Sequence, residues 1–360
     1  MRPLALYLPQ FHAFKENDEW WGEGYTEWTA VKGAKPLFAG HEQPRVPFDG
    51  QYYDLSDPSG AAFLRQAELA REYGIYGFAF YQYYFTGHNL MERPLEILLG
   101  HPEIELRYCL TWANETWRRA WYDYNEEILM EQTYGGEPEW RAHFDYLLQF
   151  FRDERYIKVD GKPMFCIYRP AEIKALAEMK DCFNRWAEEA GFPGVYIIGG
   201  KTAVDIDNRG ICDAFYYFEP GYSLKHGLKP ARTLEYNLCT GIRRIGNAVS
   251  HGNAPERRIP IDWIYDSILG REYGENEFPG IIARWDNTPR RRNKGLVYTG
   301  ASPEKFENVL CKLNSKVSSD CFVFINAWNE WGEGAMLEPD KAEGYGYLEA
   351  VKRAVREAGR

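Results

Sequence analysis

The chain has 360 residues and a hydrophobic fraction of 45%, enough for a large core, with a net charge of -10. That charge argues against a nucleic-acid partner, because phosphate contacts need a basic footprint, and it gives no support to binding an anionic membrane. Aromatic residues make up 16% of the chain, with 12 Trp and 26 Tyr, more than a core alone needs. The surplus fits a surface or cleft that stacks faceted ligands such as sugars.

Seven Cys at scattered positions form no C-x-x-C pair, so reduced, mostly buried thiols are the simplest reading. Met1-Arg-Pro leads directly into an apolar run too short for a signal peptide or a membrane span. The sequence as it stands therefore reads as a cytoplasmic protein without membrane insertion, export requiring a leader outside it. No His/Cys cluster has zinc spacing and no acidic loop has the calcium pattern, so no metal and no cofactor are expected.

In chain order, Leu4–Leu8 reads as the first strand, running into Pro9-Gln10-Phe11-His12 and a long aromatic loop from Trp20 to Trp28. Asp57-Pro58 signals a helix start, Pro being favoured at the first helical position, and Gly74 closes that helix after Tyr73. Tyr76–Tyr84 is a second, almost wholly aromatic strand, followed by a short helix over Glu92–Leu99. Leu106–Trp112 is the third strand, ending in Ala113-Asn114-Glu115-Thr116-Trp117-Arg118-Arg119. Helical periodicity over Glu137–Phe151 precedes a fourth strand, Met164–Tyr168, and a helix over Ala171–Ala190. Val195–Ile198 and Ala214–Phe218 are the fifth and sixth strands. An irregular region rich in Gly, Pro and Arg, open to further helices, then runs to about Pro260. Gly280–Ala283 is the seventh strand, leading into Arg284-Trp285-Asp286-Asn287. A helix over Pro303–Leu313, an eighth strand over Cys321–Ala327 and a last helix over Gly346–Glu357 complete the chain.

Strand–helix alternation repeated about eight times predicts one α/β domain over residues 1–360, a (β/α)8 barrel with elaborated loops. Such a barrel gathers the loops after its strands on one face, where active sites form. Tyr7, His12, Trp28, Tyr84, Trp112, Asn114, Trp285 and Trp328 are therefore expected in one cleft. Gln10, Trp21, Glu27, His88, Glu115, Asp286, Asn287 and Asn329 complete the candidate substrate-binding set. Several have an equally simple structural reading. Trp20, Trp21 and Trp28 suit a core under the first loop as well as a sugar-contacting loop. His12 and His88 suit satisfied structural histidines, and Asp286 suits a cap on the next turn. Glu115 suits an acid, a hydroxyl-orienting group, or an ion-pair partner of Arg118 or Arg119. The run Arg290-Arg291-Arg292 reads as a solvated loop that could also meet a uronate or phosphate.

The sharpest signal is Asn329-Glu330-Trp331-Gly332-Glu333-Gly334, directly after the eighth strand. Two carboxylates three positions apart among indole rings are costly to bury, because desolvation disfavours the charged form. Glu330 and Glu333 thus make a candidate acid/base pair.

The runs "LYLPQFH", "WWGEGYTEW", "TWANETW", "RWDNTPRR" and "NAWNEWGEGAMLEPD", in this order from residue 5 to residue 340, resemble the WbsX-type family. Its members are labelled glycosyltransferases of polysaccharide gene clusters or family 99-like glycoside hydrolases. More distantly the chain is similar to the family 99 endo-α-mannosidases, (β/α)8 barrels whose N-E-W-x-E-G motif matches residues 329–334. The resemblance implies that Glu330 deprotonates a sugar 2-hydroxyl, which attacks C1 to give a 1,2-anhydro sugar. It implies that Glu333 protonates the departing oxygen and later activates water. The front of the chain shows no counterpart of the remaining mannose-binding residues. A sugar-nucleotide enzyme would carry a glycine-rich turn at a helix N-terminus or a metal-holding acidic pair, and neither stands on a suitable strand. A glycan substrate cleaved by hydrolysis is the leading expectation. Glycosyl transfer in surface-polysaccharide assembly and a non-catalytic glycan-binding barrel stand behind it.

Overall fold

The computed structural model describes residues 1–118, 127–207, 209–249 and 255–357. Its centre is a parallel sheet of nine strands: β1 (Arg2–Tyr7), β2 (Gly77–Phe85), β3 (Tyr108–Trp112), β4 (Lys162–Ile167), β5 (Tyr196–Lys201), β6 (Ala214–Tyr217), β7 (Glu277–Phe278), β8 (Gly280–Ile282) and β9 (Phe322–Asn326). The order across the sheet is β7-β6-β5-β4-β3-β2-β1-β9-β8. The two ends of that order, β7 and β8, are neighbours in the chain, parted only by Pro279. Phe278 pairs with Tyr216 of β6, and Gly280 pairs with Phe324 of β9. Pro279 has no N–H to donate, but its carbonyl accepts from Phe324. β7 and β8 therefore act as one broken stave that all but closes a (β/α)8 barrel, as the strand–helix alternation predicts.

The outer helices are α1 (Lys15–Trp21) and α2 (Glu27–Gly33) in the first loop, then α3 (Ala61–Tyr73), α4 (Arg93–Gly100), α5 (Glu137–Phe151), α6 (Leu176–Glu189), α7 (Pro230–Val249), α8 (Asp262–Leu269), α9 (Thr288–Arg291), α10 (Pro303–Asn314) and α11 (Gly346–Glu357). Local chemistry sets their ends. Gly74 takes a left-handed φ of 79° to stop α3. The Glu139 carboxylate reaches back to the Gly136 N–H at the start of α5, and Ser302 Oγ caps α10 ahead of Pro303. Among the described residues β5 returns to β6 without a helix.

Two expectations are corrected. The helix expected from Asp57 begins at Ala61, because Asp54 and Asp57 bend their own backbones by accepting from Ser56 N–H and Ser59 N–H. The helix expected from Ala171 begins at Leu176, after a single 3₁₀ turn at Pro170–Glu172. The region after β6 contains the further helix that its reading leaves open. It holds the 20-residue helix α7, and Arg257–Pro260 pairs in parallel with Leu296–Thr299.

Strand parity decides what faces the barrel axis. On β2, Phe78 and Phe80 face outward, where Tyr7 packs against them with ring centroids 5.3 and 4.2 Å away and Phe63 of α3 joins the cluster. Gln82 and Tyr84 share that outward parity and meet His143 of α5. Tyr81 and Tyr83 have the opposite parity and face the mouth of the barrel.

Candidate active site

The loops that follow the strands enclose a cleft of about 740 Å³. Seven of the eight staves contribute to it or to its rim, from Leu8 and Gln10 after β1 round to Glu330 and Glu333 after β9; β5 does not. Aromatic walls come from Trp21, Tyr81, Tyr83, Trp117, Tyr168 and Trp285.

The segment carrying the glutamates is held from three sides. Asn329 donates to Leu8 O (2.9 Å) and accepts from Leu8 N (2.8 Å), tying the end of β9 to the end of β1. The buried Glu338 carboxylate accepts from the Trp328 and Trp331 indoles, from Gln66 and from Tyr53, which locks the indoles on either side of Glu330. Gly332 and Gly334 have separate reasons. A Cβ on Gly332 would fall 1.7 Å from Glu27 Oε1 and 2.8 Å from Arg290 Nε. Gly334 has a left-handed φ of 60°, and a Cβ there would press on the Asp286 backbone.

Beneath Gly332 lies the charge arrangement that defines the site. Arg290 donates through Nε to Glu27 Oε1 at 2.8 Å. Its Nη1 lies 3.1 Å from Glu330 Oε1 and 3.0 Å from Glu333 Oε1. One guanidinium thus serves three carboxylates, and Glu330 and Glu333 converge on the same nitrogen. Burial pushes both of these carboxyls above the usual range; Glu333 raises Glu330 further, Glu27 raises Glu333, and Arg290 opposes the rise. Burial, with Glu330 nearby, also keeps the phenols of Tyr81 and Tyr83 protonated, as neutral hydrogen-bonding groups.

Of the residues proposed from sequence, Gln10, Trp21, Glu115, Trp285, Glu330 and Glu333 line the cleft. Glu115 is paired with Arg169, which also bonds Glu172 at 2.9 Å. Burial raises the Glu115 carboxyl while Arg169 opposes. Arg119, its other proposed partner, lies outside the described residues.

The remaining candidates sit behind the wall, for reasons of parity and hydrogen bonding. Tyr7 points outward to Gln66, and Tyr84 stacks on His143. The indoles of Trp28, Trp112 and Trp328 donate to Tyr53 O, Tyr84 O and Glu338. Asn114 brackets the Arg169 backbone as Asn329 brackets Leu8, with bonds of 2.8 and 2.9 Å. His12 is buried, which lowers its pKa against the opposing bond to Pro9 O, and His88 pairs with Glu16 on α1. Asp286 accepts from His41, Gln43 and Thr288, and Asn287 accepts from Leu296 N. Glu27 is wholly buried and reaches the site only through Arg290.

Residues missed in the sequence are Tyr81, Tyr83, Tyr168, Arg169, Glu172 and, above all, Arg290. The arginine run reads in the sequence as a solvated loop or a contact for a uronate or phosphate. Arg290 is instead only 6% exposed at the end of α9, while Arg292 is exposed. Among the described residues no group of three or more His, Cys, Asp or Glu side chains is arranged to hold a metal ion, and no helix is long and apolar enough to cross a membrane.

The described residues thus form a nearly closed (β/α)8 barrel with clustered carboxylates in an aromatic cleft on its loop face. The chain belongs to the WbsX glycosyltransferase family, whose model matches residues 3–351. Two proteins from strains of Xanthomonas campestris pv. campestris, each described as uncharacterized protein WxcX, are 34% identical over 99% of this chain. The chain spans about half the length of these curated relatives, 50% in each case. A solved glycoside hydrolase-like protein is similar with a TM-score of 0.59 at 16% identity, covering 98% of this chain and 93% of its own. The GH99 endo-alpha-mannosidase from Bacteroides thetaiotaomicron is similar with a TM-score of 0.54 at 14% identity, covering 99% and 97%. At these identities the structural likeness establishes the fold.

Proposed function

We propose that the protein cleaves a glycosidic bond in a polysaccharide or oligosaccharide, with Glu330 and Glu333 as the acid/base pair. The observation that carries this reading is the convergence of both carboxylates on Arg290 within an aromatic cleft. Burial raises both carboxyls and Arg290 opposes the rise, so the pair is placed to trade protons with a substrate. Following the family resemblance, Glu330 takes the proton of the sugar 2-hydroxyl, whose oxygen attacks C1 while the C1–O bond to the leaving group breaks. Glu333 delivers a proton to that departing oxygen. Water activated by Glu333 then opens the 1,2-anhydro ring at C1, and the 2-oxygen regains a proton. Tyr81, Tyr83, Trp117 and Trp285 supply rings for sugar faces.

The family description favours a second reading, glycosyl transfer, in which a sugar hydroxyl takes the place of water. The discriminating experiment incubates the protein with a glycan library and, separately, with sugar nucleotides plus acceptors. New reducing ends that vanish in Glu330→Gln/Glu333→Gln support hydrolysis. Elongated acceptors with consumption of the sugar nucleotide, and no new reducing ends, would replace hydrolysis with transfer.

A further inference from the structure

Glu115, Glu172, Glu330 and Glu333 are the carboxylates among the described lining of the cleft, and two arginines take all of them. Arg169 pairs with Glu115 and Glu172, and Arg290 pairs with Glu330 and Glu333. Arg291 lines the same cleft and is partly buried, yet its side chain makes no hydrogen bond or ion pair among the described residues. A guanidinium so placed has given up part of its water without gaining an anion. It also stands beside the chemistry. Burial raises the Glu333 carboxyl, and Arg291 joins Arg290 in opposing that rise, so Arg291 lies within electrostatic reach of Glu333.

The loop that presents Arg291 is firmly built. Thr288 donates to Asp286 Oδ1 through both its N–H and its hydroxyl, and Asn287 Oδ1 accepts from Leu296 N–H. A Cβ on Gly295 would stand 2.9 Å from Thr288 Cγ2, so the loop closes tightly on itself. Arg292, directly after Arg291, takes a left-handed φ of 47°, a strained conformation for a residue with a side chain.

We propose that Arg291 is an anion-binding subsite of the cleft, and that the glycan substrate carries a carboxylate or phosphate on a sugar beside the bond to be cleaved. The proposal rests on the glycosidic-cleavage reading, which supplies that bond. The forked N–H donors of a guanidinium match the paired oxygens of either group. Since the four lining glutamates are already paired with arginines, an arriving anion meets charges that are largely balanced. The acidity of the chain as a whole acts from beyond the screening length of the solvent and does not decide the matter.

The test uses a panel of uronate-bearing and phosphate-bearing oligosaccharides, each paired with its carboxyl-reduced or dephosphorylated form. Binding of the full chain to each immobilised member is measured by surface plasmon resonance, and release of reducing ends is measured separately. At least one acidic member should bind about tenfold or more tighter than its neutral partner, the scale of hydrogen bonds to a charged group. The pair that shows this identifies the anion. Arg291→Gln should shrink the preference to about twofold or less at an unchanged melting temperature. Should that variant melt early, Arg291→Ala replaces it. No acidic preference in any pair, or a preference that both variants leave intact, would overturn the proposal. Reducing ends released without any acidic preference would keep the cleavage reading and sink the subsite. An acidic preference that depends on Arg291, with no reducing ends released, would support the subsite and count against cleavage.

Discussion

Replacing Arg290 by Met removes the one guanidinium shared by three carboxylates while keeping much of the side-chain volume. Arg290 is 6% exposed and Glu27 is 0% exposed, so solvent does little to screen their pairing. Breaking a buried pair by removing one partner costs about 3–5 kcal/mol, because the other charge stays buried without compensation. With an unfolding entropy of about 2.1 cal/mol/K per residue, that lowers the Tm by about 4–7 °C. The sign with pH follows from the raised pKa values of Glu330 and Glu333. A carboxyl raised on folding favours the native state below its unfolded pKa and loses that contribution as pH rises through the folded value. Without Arg290 both are raised further, so the Tm deficit should grow from about pH 5 to about pH 8, on top of the cost left at Glu27. Glu27→Gln/Arg290→Met should recover part of the loss, since the pair is then removed together. Melting curves of the three proteins across pH measure all of this. A deficit independent of pH, or a Tm within about 1 °C of the parent at every pH, would refute the shared-guanidinium reasoning.

Gly332→Ala would thrust a methyl group into the contact between Glu27 and Arg290 and should lower kcat/KM at least about 100-fold, measured on the first glycan found to be cleaved. Tyr83→Ala should raise KM about tenfold by removing a wall of the cleft, whereas Tyr84→Phe, whose hydroxyl bonds Glu139 O at 3.3 Å behind that wall, should leave KM unchanged. Exhaustive dialysis against a chelator should leave activity intact, and recovery only on adding a divalent metal would contradict that.

The barrel was legible because its strands are continuous apolar runs and its helices carry a 3.6-residue period, signals that survive in a single sequence. The position of the glutamate pair was legible too, since a N-E-W-G-E-G turn after a buried strand has few uses. What failed was the direction of the side chains. Tyr84, Trp112 and Trp328 were chosen for lying at strand ends, but a strand end faces the cleft only on alternate residues. Gln82 held the available clue: a polar residue in an aromatic strand needs a partner among the helices, which sets Tyr81 and Tyr83 inward. Asn114 and Asn329 read as ligands because their side chains can bond a sugar; in the fold each is spent on a neighbouring strand's backbone. Arg290 was hidden by its neighbours, since only tertiary packing separates the buried member of the arginine run from the exposed one. The paired carboxylate Glu27 lies 263 residues away in sequence, a contact no local pattern reveals.

The central claim is that Glu330 and Glu333 divide proton transfer in glycosidic cleavage, and leaving-group dependence tests it most directly. Glutamine keeps the shape of each side chain and removes its proton transfer, an effect worth ~10²–10⁴ in rate. The measurement is kcat/KM of Glu330→Gln and Glu333→Gln on an unactivated glycan and on an aryl glycoside of the same sugar, with Tm as the folding control. Glu333→Gln should cripple turnover of the glycan and largely spare the aryl glycoside, whose leaving group needs little protonation. Glu330→Gln should slow both substrates alike. Equal and modest losses for both variants on both substrates would contradict the account and reduce the pair to positioning the sugar.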